Sequence, residues 1–310
     1  LAEGARARLG GPRGRVGVVP GVVDASRFAP RTAPESLRRD LGLRPDQRVI
    51  GVVARLQPHR QVELILNALA LALGQAPGLR LRVVGSGTRA RAVLEEPVAK
   101  LGLESAVVRA GYRSDDYLDT LALMDALVFL VPGSDGSCRA VLETMSMEIP
   151  TIASRRGILP ETVADGETGA LCDETPESLA AAYCDLWRDP ARWQARGKAA
   201  RRRILDNHTI ALQAERLERE LNRGEVGAFR AYLGMKHSPP FIAETIERMR
   251  EDGIERAIAV VMAPHWSGMS VETYLDRVRE EVGEGPPTFD FVRSYHDDPR
   301  FVSFLAGRVA

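Results

Sequence analysis

Five short runs rich in apolar and β-branched residues, at 48–54, 80–84, 105–109, 126–131 and 150–154, are separated mostly by segments with helical periodicity. Between the first two, Val62, Ile65, Leu66, Leu69 and Leu73 recur at i, i+3, i+4, i+7 and i+11 and predict one apolar helix face. Strands alternating with helices predict a parallel sheet covered on both faces, a doubly wound, Rossmann-like α/β fold. Ile210, Ala214, Leu217 and Leu221 predict a further amphipathic helix, which Asn222-Arg223-Gly224-Glu225-Val226-Gly227 breaks with two glycines. A second, smaller α/β series follows. Strand 228–233 leads to a helix with Ile242, Thr245, Ile246 and Met249 on one face. Strand 256–262 leads to another with Val271, Tyr274, Leu275, Val278 and Val282, and strand 289–292 to a last helix starting near Pro299. The expected domains are 1–222 and 223–310, with no repeat linking them.

A length of 310 residues agrees with two domains, each able to bury a core. Lys plus Arg equals Asp plus Glu, 42 each, so no global field recruits nucleic acid or an anionic membrane. The arginine-rich stretch from Arg192 to Arg203 is expected to be a solvated helix face, because Glu215, Glu218 and Glu220 follow closely. Cys138, Cys172 and Cys184 are odd in number and lack metal-ligand spacing, which points to a reducing cytoplasm. No apolar run approaches the ~18 residues of a membrane span. The chain begins at Leu1 and reads as an internal fragment.

The stretch from Asp135 through Gly136, Ser137, Cys138 and Arg139 to Glu143 follows an apolar strand and opens a helix. A helix N-terminus presents unpaired N–H groups and partial positive charge, which suits phosphate. Carboxylates accept hydrogen bonds from hydroxyls, so flanking acids suit a ligand with polyol ends and a phosphate middle. That description fits a nucleotide sugar. On spacing alone, an acidic loop followed by an ordinary helix remains the plainer reading.

The neighbours shift that balance. Val18-Val19-Pro20-Gly21-Val22-Val23-Asp24 with Arg27-Phe28-Ala29-Pro30, then Ala54-Arg55-Leu56 with Arg60, then Val83-Val84-Gly85-Ser86-Gly87 come in order. Val108-Arg109-Ala110-Gly111-Tyr112, Glu143 to Ser154 and Gly166-Glu167-Thr168-Gly169 complete the series. Together with the acid-x7-acid stretch they resemble the group 1 (family 4) retaining glycosyltransferases of GT-B fold, over residues 15 to about 222. The resemblance implies the donor-binding half of such an enzyme, transferring a hexose from a nucleoside diphosphate sugar to an acceptor hydroxyl. It implies catalytic roles for Arg55, Arg60, Asp135 and Glu143, and donor contacts at Gly85, Gly87, Gly111, Gly136, Ser137, Cys138 and Arg139. Arg55 and Arg60 would neutralise the departing diphosphate, Glu143 would accept ribose hydroxyls and Asp135 sugar hydroxyls. It implies no metal or other cofactor, and an acceptor-binding domain expected before residue 15 and missing here. Asp135 stands where the family has Glu, Arg60 where it has Lys, Gly21-Val22 where it has Asn-Gly, and Arg109 where it has an aromatic.

The last 85 or so residues resemble ferrochelatase instead. Tyr232-Leu233-Gly234-Met235-Lys236-His237 with Pro240-Phe241, Gly253 to Ala257, Ala263-Pro264-His265-Trp266-Ser267 and Ser294 to Phe301 carry that resemblance. It implies part of one lobe of an enzyme that inserts iron into porphyrin, with Lys236, His237 and His265 lining the porphyrin cleft. The family's S-A-H-S-L-P segment and its later catalytic Glu are absent. His237, His265 and His296 share no metal-ligand spacing. Three functions therefore compete: a glycosyltransferase half, a ferrochelatase-like lobe, and a fused fragment without turnover.

Overall fold

The computed structural model describes residues 21–131, 138–222, 229–236, 239–262 and 267–299. It forms two units, one from Pro20 to Thr209 and one containing the residues from Ile210 onward. Helix α9 (Ile210–Leu221) belongs to the second of these, with the tail.

In the first unit α1 (Glu35–Asp40) precedes β1 (Arg48–Val53), α2 (Val62–Leu73), β2 (Leu79–Val84), α3 (Glu96–Leu101), β3 (Val107–Gly111) and α4 (Tyr117–Leu121). Then come β4 (Ala126–Phe129), α5 (Arg139–Ser146), β5 (Thr151–Ser154), α6 (Leu159–Thr162), β6 (Gly169–Cys172), α7 (Pro176–Arg188) and α8 (Pro190–Asn207). The sheet order is β3-β2-β1-β4-β5-β6 and every pairing is parallel. The strands sit within two residues of the expected runs; β6 is a strand beyond those expected.

Burial on both faces explains the composition of these strands. Ile50, Val52, Leu81, Val83, Val128 and Ile152 join Ile65, Leu66 and Leu69 of α2 and Leu179, Tyr183 and Leu186 of α7 in one core. Val84, Leu127 and Ala153 join Val141, Leu142 and Met145 of α5 and Ala200 and Ile204 of α8 in a second. The predicted α2 face is the buried one, with Leu73 packed at its margin.

Three arginines of α8 depart from the expectation of a solvated face, while Arg192 and Arg202 keep to it as exposed side chains. Arg203 donates to the carbonyls of Thr162 (2.9 Å) and Glu161 (2.6 Å), Arg201 to those of Ser146 and Phe28, and Arg196 to that of Gly166 (3.1 Å). Loop and helix ends leave carbonyls without intrahelical partners, and these guanidinium groups satisfy them.

In the second unit α9 is followed by α10 (Ile242–Glu251), β7 (Arg256–Val260), α11 (Thr273–Val282) and β8 (Thr288–Val292). β7 and β8 pair in parallel from Arg256 opposite Thr288 to Val260 opposite Val292. The expected strand at 228–233 does not form among its described residues. Its N–H groups bond to side chains instead, Phe229 to Asn222 Oδ1 (2.7 Å) and Ala231 to Glu218 Oε1 (2.9 Å). Arg250 of α10 ties the unit together by donating to the carbonyls of Val282 (2.7 Å) and Pro286 (3.0 Å). The helix expected from Pro299 lies almost wholly outside the described residues.

Candidate functional site

The strand order reverses between β1 and β4, so the connections leaving their carboxyl ends diverge and open a crevice, the place where doubly wound sheets bind ligands. Arg55 and Arg60 both lie in the connection that leaves β1. Arg55 is exposed and forms no ion pair with any described residue. Arg60 ends the 3-10 turn Pro58–Arg60, and its Nη1 donates to the carbonyl of Val131, just past β4, at 2.8 Å. Its Nε is buried with no hydrogen-bond partner among the described residues. Arg60 thus spans the crevice from the β1 side to the β4 side.

The Gly85-Ser86-Gly87 turn braces this connection. The carbonyl of Ser86 accepts from Leu56 N (3.0 Å), that of Val84 from Ala54 N (3.1 Å), and that of Gly111 from Gly85 N (2.8 Å). A Cβ on Gly85 would lie 2.0 Å from the Ala54 oxygen, and one on Gly87 2.4 Å from the Leu56 oxygen. Only glycine lets the turn after β2 approach the backbone on both sides of Arg55 so closely. Gly111 has φ +68, in the left-handed region that glycine enters freely.

Glu143 lies one turn into α5 and is buried. Its Oε2 accepts from the Tyr117 hydroxyl at 2.7 Å, and its Oε1 lies 3.7 Å from the exposed guanidinium of Arg139. Tyr117 packs edge-on against Phe28, with ring centroids 6.4 Å apart, and Arg27 lies 5.5 Å over Phe28. Burial, and then the negative charge of Glu143, hold the Tyr117 hydroxyl far above the ordinary tyrosine range, so it stays a donor. Asp24 shapes the approach to this corner, its Oδ1 accepting from the N–H groups of Ser26 and Arg27, each at 3.0 Å. Cys138 precedes α5 in a left-handed conformation, and its carbonyl accepts from Val141 N at 2.8 Å. The first-turn N–H groups at Arg139 and Ala140 are left outside intrahelical bonding by helix geometry.

The structure therefore places Arg55 and Arg60 in the connection after β1, braced by Gly85 and Gly87 of the turn after β2, to which Gly111 is bonded, and Glu143, Cys138 and Arg139 at the start of α5. Asp135, Gly136 and Ser137 lie outside the described residues. Arg109, at the unusual aromatic position, pairs with Glu95 on the surface. Tyr117, Gln61 and Glu174 escaped sequence reading because nothing in their spacing marks them. Gln61 Nε2 donates to Glu174 Oε2 at 2.8 Å, and Arg156 holds the Glu174 carboxyl below the usual carboxylate range.

In the tail, Lys236 donates to Thr273 Oγ1 at 2.7 Å and lies 5.5 Å over the ring of Tyr274. His237 and His265 lie outside the described residues. No group of three His, Cys, Asp or Glu among the described residues could hold a metal ion. No helix among them is long and apolar enough to cross a membrane.

Comparisons with known proteins divide the chain in the same way. The crystal structure of HepE from Anabaena in complex with UDP and glucose is similar at a TM-score of 0.60 and 22% identity, over 69% of this chain and 59% of that one. The C-terminal domain of LpcC, a group 1 glycosyl transferase from Francisella tularensis, is similar at a TM-score of 0.54 and 21% identity, over 61% of this chain and 99% of that one. Sucrose-phosphate synthase from Thermosynechococcus elongatus gives a TM-score of 0.56 and 27% identity, over 66% and 52% of the two chains. The tail is 43% identical over 100 residues to coproporphyrin III ferrochelatase of Anoxybacillus flavithermus, an alignment covering 31% of this chain and 31% of that enzyme. It is 42% identical over 100 residues to that of Bacillus subtilis, covering 31% and 32%. The chain thus spans about a third of the length of the curated relatives it matches. The family model for ferrochelatase matches residues 205–310. The family model for glycosyl transferases group 1 matches residues 34–203, more than half of the sequence, and the chain belongs to that family.

Proposed function

We propose that the first unit binds a nucleoside diphosphate sugar, and that the enzyme it serves transfers the hexose to an acceptor hydroxyl with retention of configuration. The observation that carries this reading is the placement of Arg55 and Arg60 at the crevice between β1 and β4, with Arg55 exposed and unpaired among the described residues. Two guanidinium groups there would meet the diphosphate and offset the charge that grows as it departs. Glu143, oriented by Tyr117, would accept ribose hydroxyls, and Asp135 sugar hydroxyls. The acceptor would be presented by a separate domain facing this crevice. Positive charge from two arginines and a helix start would serve where other transferases recruit a divalent metal, so no metal is expected to be required.

Calorimetry with UDP-, GDP- and ADP-sugars in metal-free buffer tests this. Heat from at least one donor is expected, with Arg55→Ala weakening binding by roughly 1–3 kcal/mol, the size of a lost charge-assisted hydrogen bond. Absence of heat from every donor at millimolar concentration would sink the reading.

The match of the tail to ferrochelatase favours a second reading for that unit, a wall of a porphyrin cleft formed by Lys236, His237 and His265. Iron would be a substrate there. Insertion needs a base for the pyrrole protons and a ligand that delivers the ion, and no group of three His, Cys, Asp or Glu among the described residues could hold a metal. Weak porphyrin binding without insertion is expected. A zinc-insertion assay with coproporphyrin decides; turnover by the parent chain that His237→Ala abolishes would show that the tail works as a catalyst.

A further inference from the structure

We propose that Glu174, in the loop after β6, is a positioning residue for Arg60 and acts through Gln61. The proposal rests on the donor reading above. Gln61 follows the 3-10 turn that carries Arg60 and caps α2 with φ 56 and ψ 36. That left-handed region is disfavoured for any residue with a Cβ, so something outside the turn must hold it. The Gln61 side chain supplies the hold, donating from Nε2 to Glu174 Oε2 at 2.8 Å.

Glu174 is itself fixed by a fork. Arg156 donates to its Oε1 from Nε and to its Oε2 from Nη2 (2.6 Å), a planar bidentate pairing that sets the carboxylate's orientation as well as its charge. The backbone N–H of Arg156 donates to Ser154 Oγ at 3.3 Å, and the Ser154 hydroxyl donates to the carbonyl of Leu130. Two tracks therefore leave Glu174, one through Gln61 and Arg60 to the carbonyl of Val131, the other through Arg156 and Ser154 to that of Leu130. They meet at adjacent residues past β4 and tie the ends of β4 and β5 to the turn after β1. Arg60 has one nitrogen anchored and its Nε buried without a described partner, so the turn decides where its remaining donors aim. Loosening the turn at Glu174 would misdirect Arg60 without touching the ligand.

The test uses the full chain, with UDP as the calorimetric probe and the Arg60 side-chain Nε–H signal, assigned with Arg60→Lys, as a ligand-free readout by NMR. Glu174→Ala and Gln61→Ala are each expected to weaken UDP binding roughly 3- to 10-fold, the range of one lost hydrogen bond, and the double variant to lose no more than either alone. Glu174→Gln keeps an oxygen for Gln61 and is expected to restore affinity to within about twofold of the parent. The Arg60 signal is expected to move in Glu174→Ala and to return in Glu174→Gln. A parent that binds UDP and a Glu174→Ala variant that binds it equally would overturn the proposal. If the parent binds no UDP, uridine donors are excluded from the reading above, and the Arg60 signal still decides positioning: unmoved by Glu174→Ala, it overturns the proposal.

Discussion

The inner strands of the six-stranded sheet bury residues on both faces, whereas β7 of the tail alternates between half-buried and exposed positions. β1 shows four consecutive buried residues and β5 is buried throughout. On the tail sheet, Ala257 and Ala259 lie in register with Phe289 and Phe291, and Arg279 of α11 lies 4.8 Å over Phe291, so this face is half-buried. The opposite face shows Ile258 59% exposed and Val260 48% exposed, and Met262 just beyond the strand is 76% exposed. Both sheets are parallel, a geometry that in soluble domains is nearly always covered on both sides. One unit completes that cover within its own described residues and the other does not. Alternating strands and helices set the class of a domain, and whether its core closes is a separate property.

The largest expected effect is in native-state hydrogen exchange. Buried strands open only with the whole unit, while a two-stranded sheet with one bare face opens locally. Amides of β1, β4 and β5 should exchange roughly a thousandfold more slowly than those of β7 and β8, equivalent to a few kcal/mol of extra opening free energy. Comparable protection in both sheets would break the comparison.

Side-chain truncation sharpens it residue by residue. Leu66 on α2 has no exposed surface, and Leu66→Ala should cost about 2–5 kcal/mol of stability through lost transfer energy and an unfilled cavity. Ile258→Ala removes a side chain that is more than half exposed and should change stability by no more than about 0.5 kcal/mol. Denaturant titrations of the two variants, with fluorescence and circular dichroism followed together, measure both.

How much of this was legible in the sequence follows the same division. The core strands and the α2 face were readable because burial on both sides selects Val, Ile and Leu so strongly that the runs stand out. The Arg55 connection and its glycines were readable through motif order, and the structure supplies the reason for Gly85 and Gly87 in backbone contact. Strand 228–233 was misread because β-propensity reports a side chain's fit to a pleated neighbour, and Asn222 and Glu218 supply the hydrogen bonds there instead. β6 hid behind its glycine and cysteine. Gln61, Glu174 and Tyr117 were invisible because their partners lie far away in sequence: Glu174 is 113 residues from Gln61, and Glu143 is 26 from Tyr117.

Arg82 offers the next test, a polar group inside the better core. It sits on β2 with no exposed surface, donates to Thr120 Oγ1 at 3.3 Å, and keeps Nε and Nη1 buried without described partners. Burial, and then repulsion from Arg113, lower its pKa to about 10. The charged form is thus penalised on folding, so the unfolded chain holds this proton more tightly. Stability from this site should rise as pH climbs past about 10. Arg82→Met, similar in reach and free of unmet donors, should stabilise the protein by roughly 1–3 kcal/mol at neutral pH, and the gain should shrink in alkali. A loss of stability in Arg82→Met would mean that the guanidinium is better satisfied than its contacts indicate.

A smaller effect is expected from neutralising Asp125, which joins β1 and β4 at the end of the sheet away from the crevice. Its Oδ2 accepts from Val49 N at 2.7 Å, its own N–H donates to the Val49 carbonyl at 2.8 Å, and Arg48 lies 3.9 Å from Oδ1. Burial raises its pKa above the ordinary aspartate value, and the Val49 N–H and Arg48 only partly oppose that. A carboxyl whose pKa is raised by folding favours the native state when protonated. Its contribution is complete below the ordinary aspartate pKa and is lost as pH rises through the folded value. Asp125→Asn keeps an oxygen for Val49 and fixes the neutral form. It should therefore gain less than about 1 kcal/mol at neutral pH and nothing below the ordinary aspartate range. Asp125→Ala leaves the buried Val49 N–H without its partner and should cost roughly 1–3 kcal/mol at either pH. Thermal melts of the three proteins at neutral and at acid pH separate these outcomes. An Asp125→Asn variant less stable than the parent at neutral pH, with the deficit closing on acidification, would reverse the sign argued here and make the Arg48 ion pair, rather than burial, the dominant influence at this edge of the sheet.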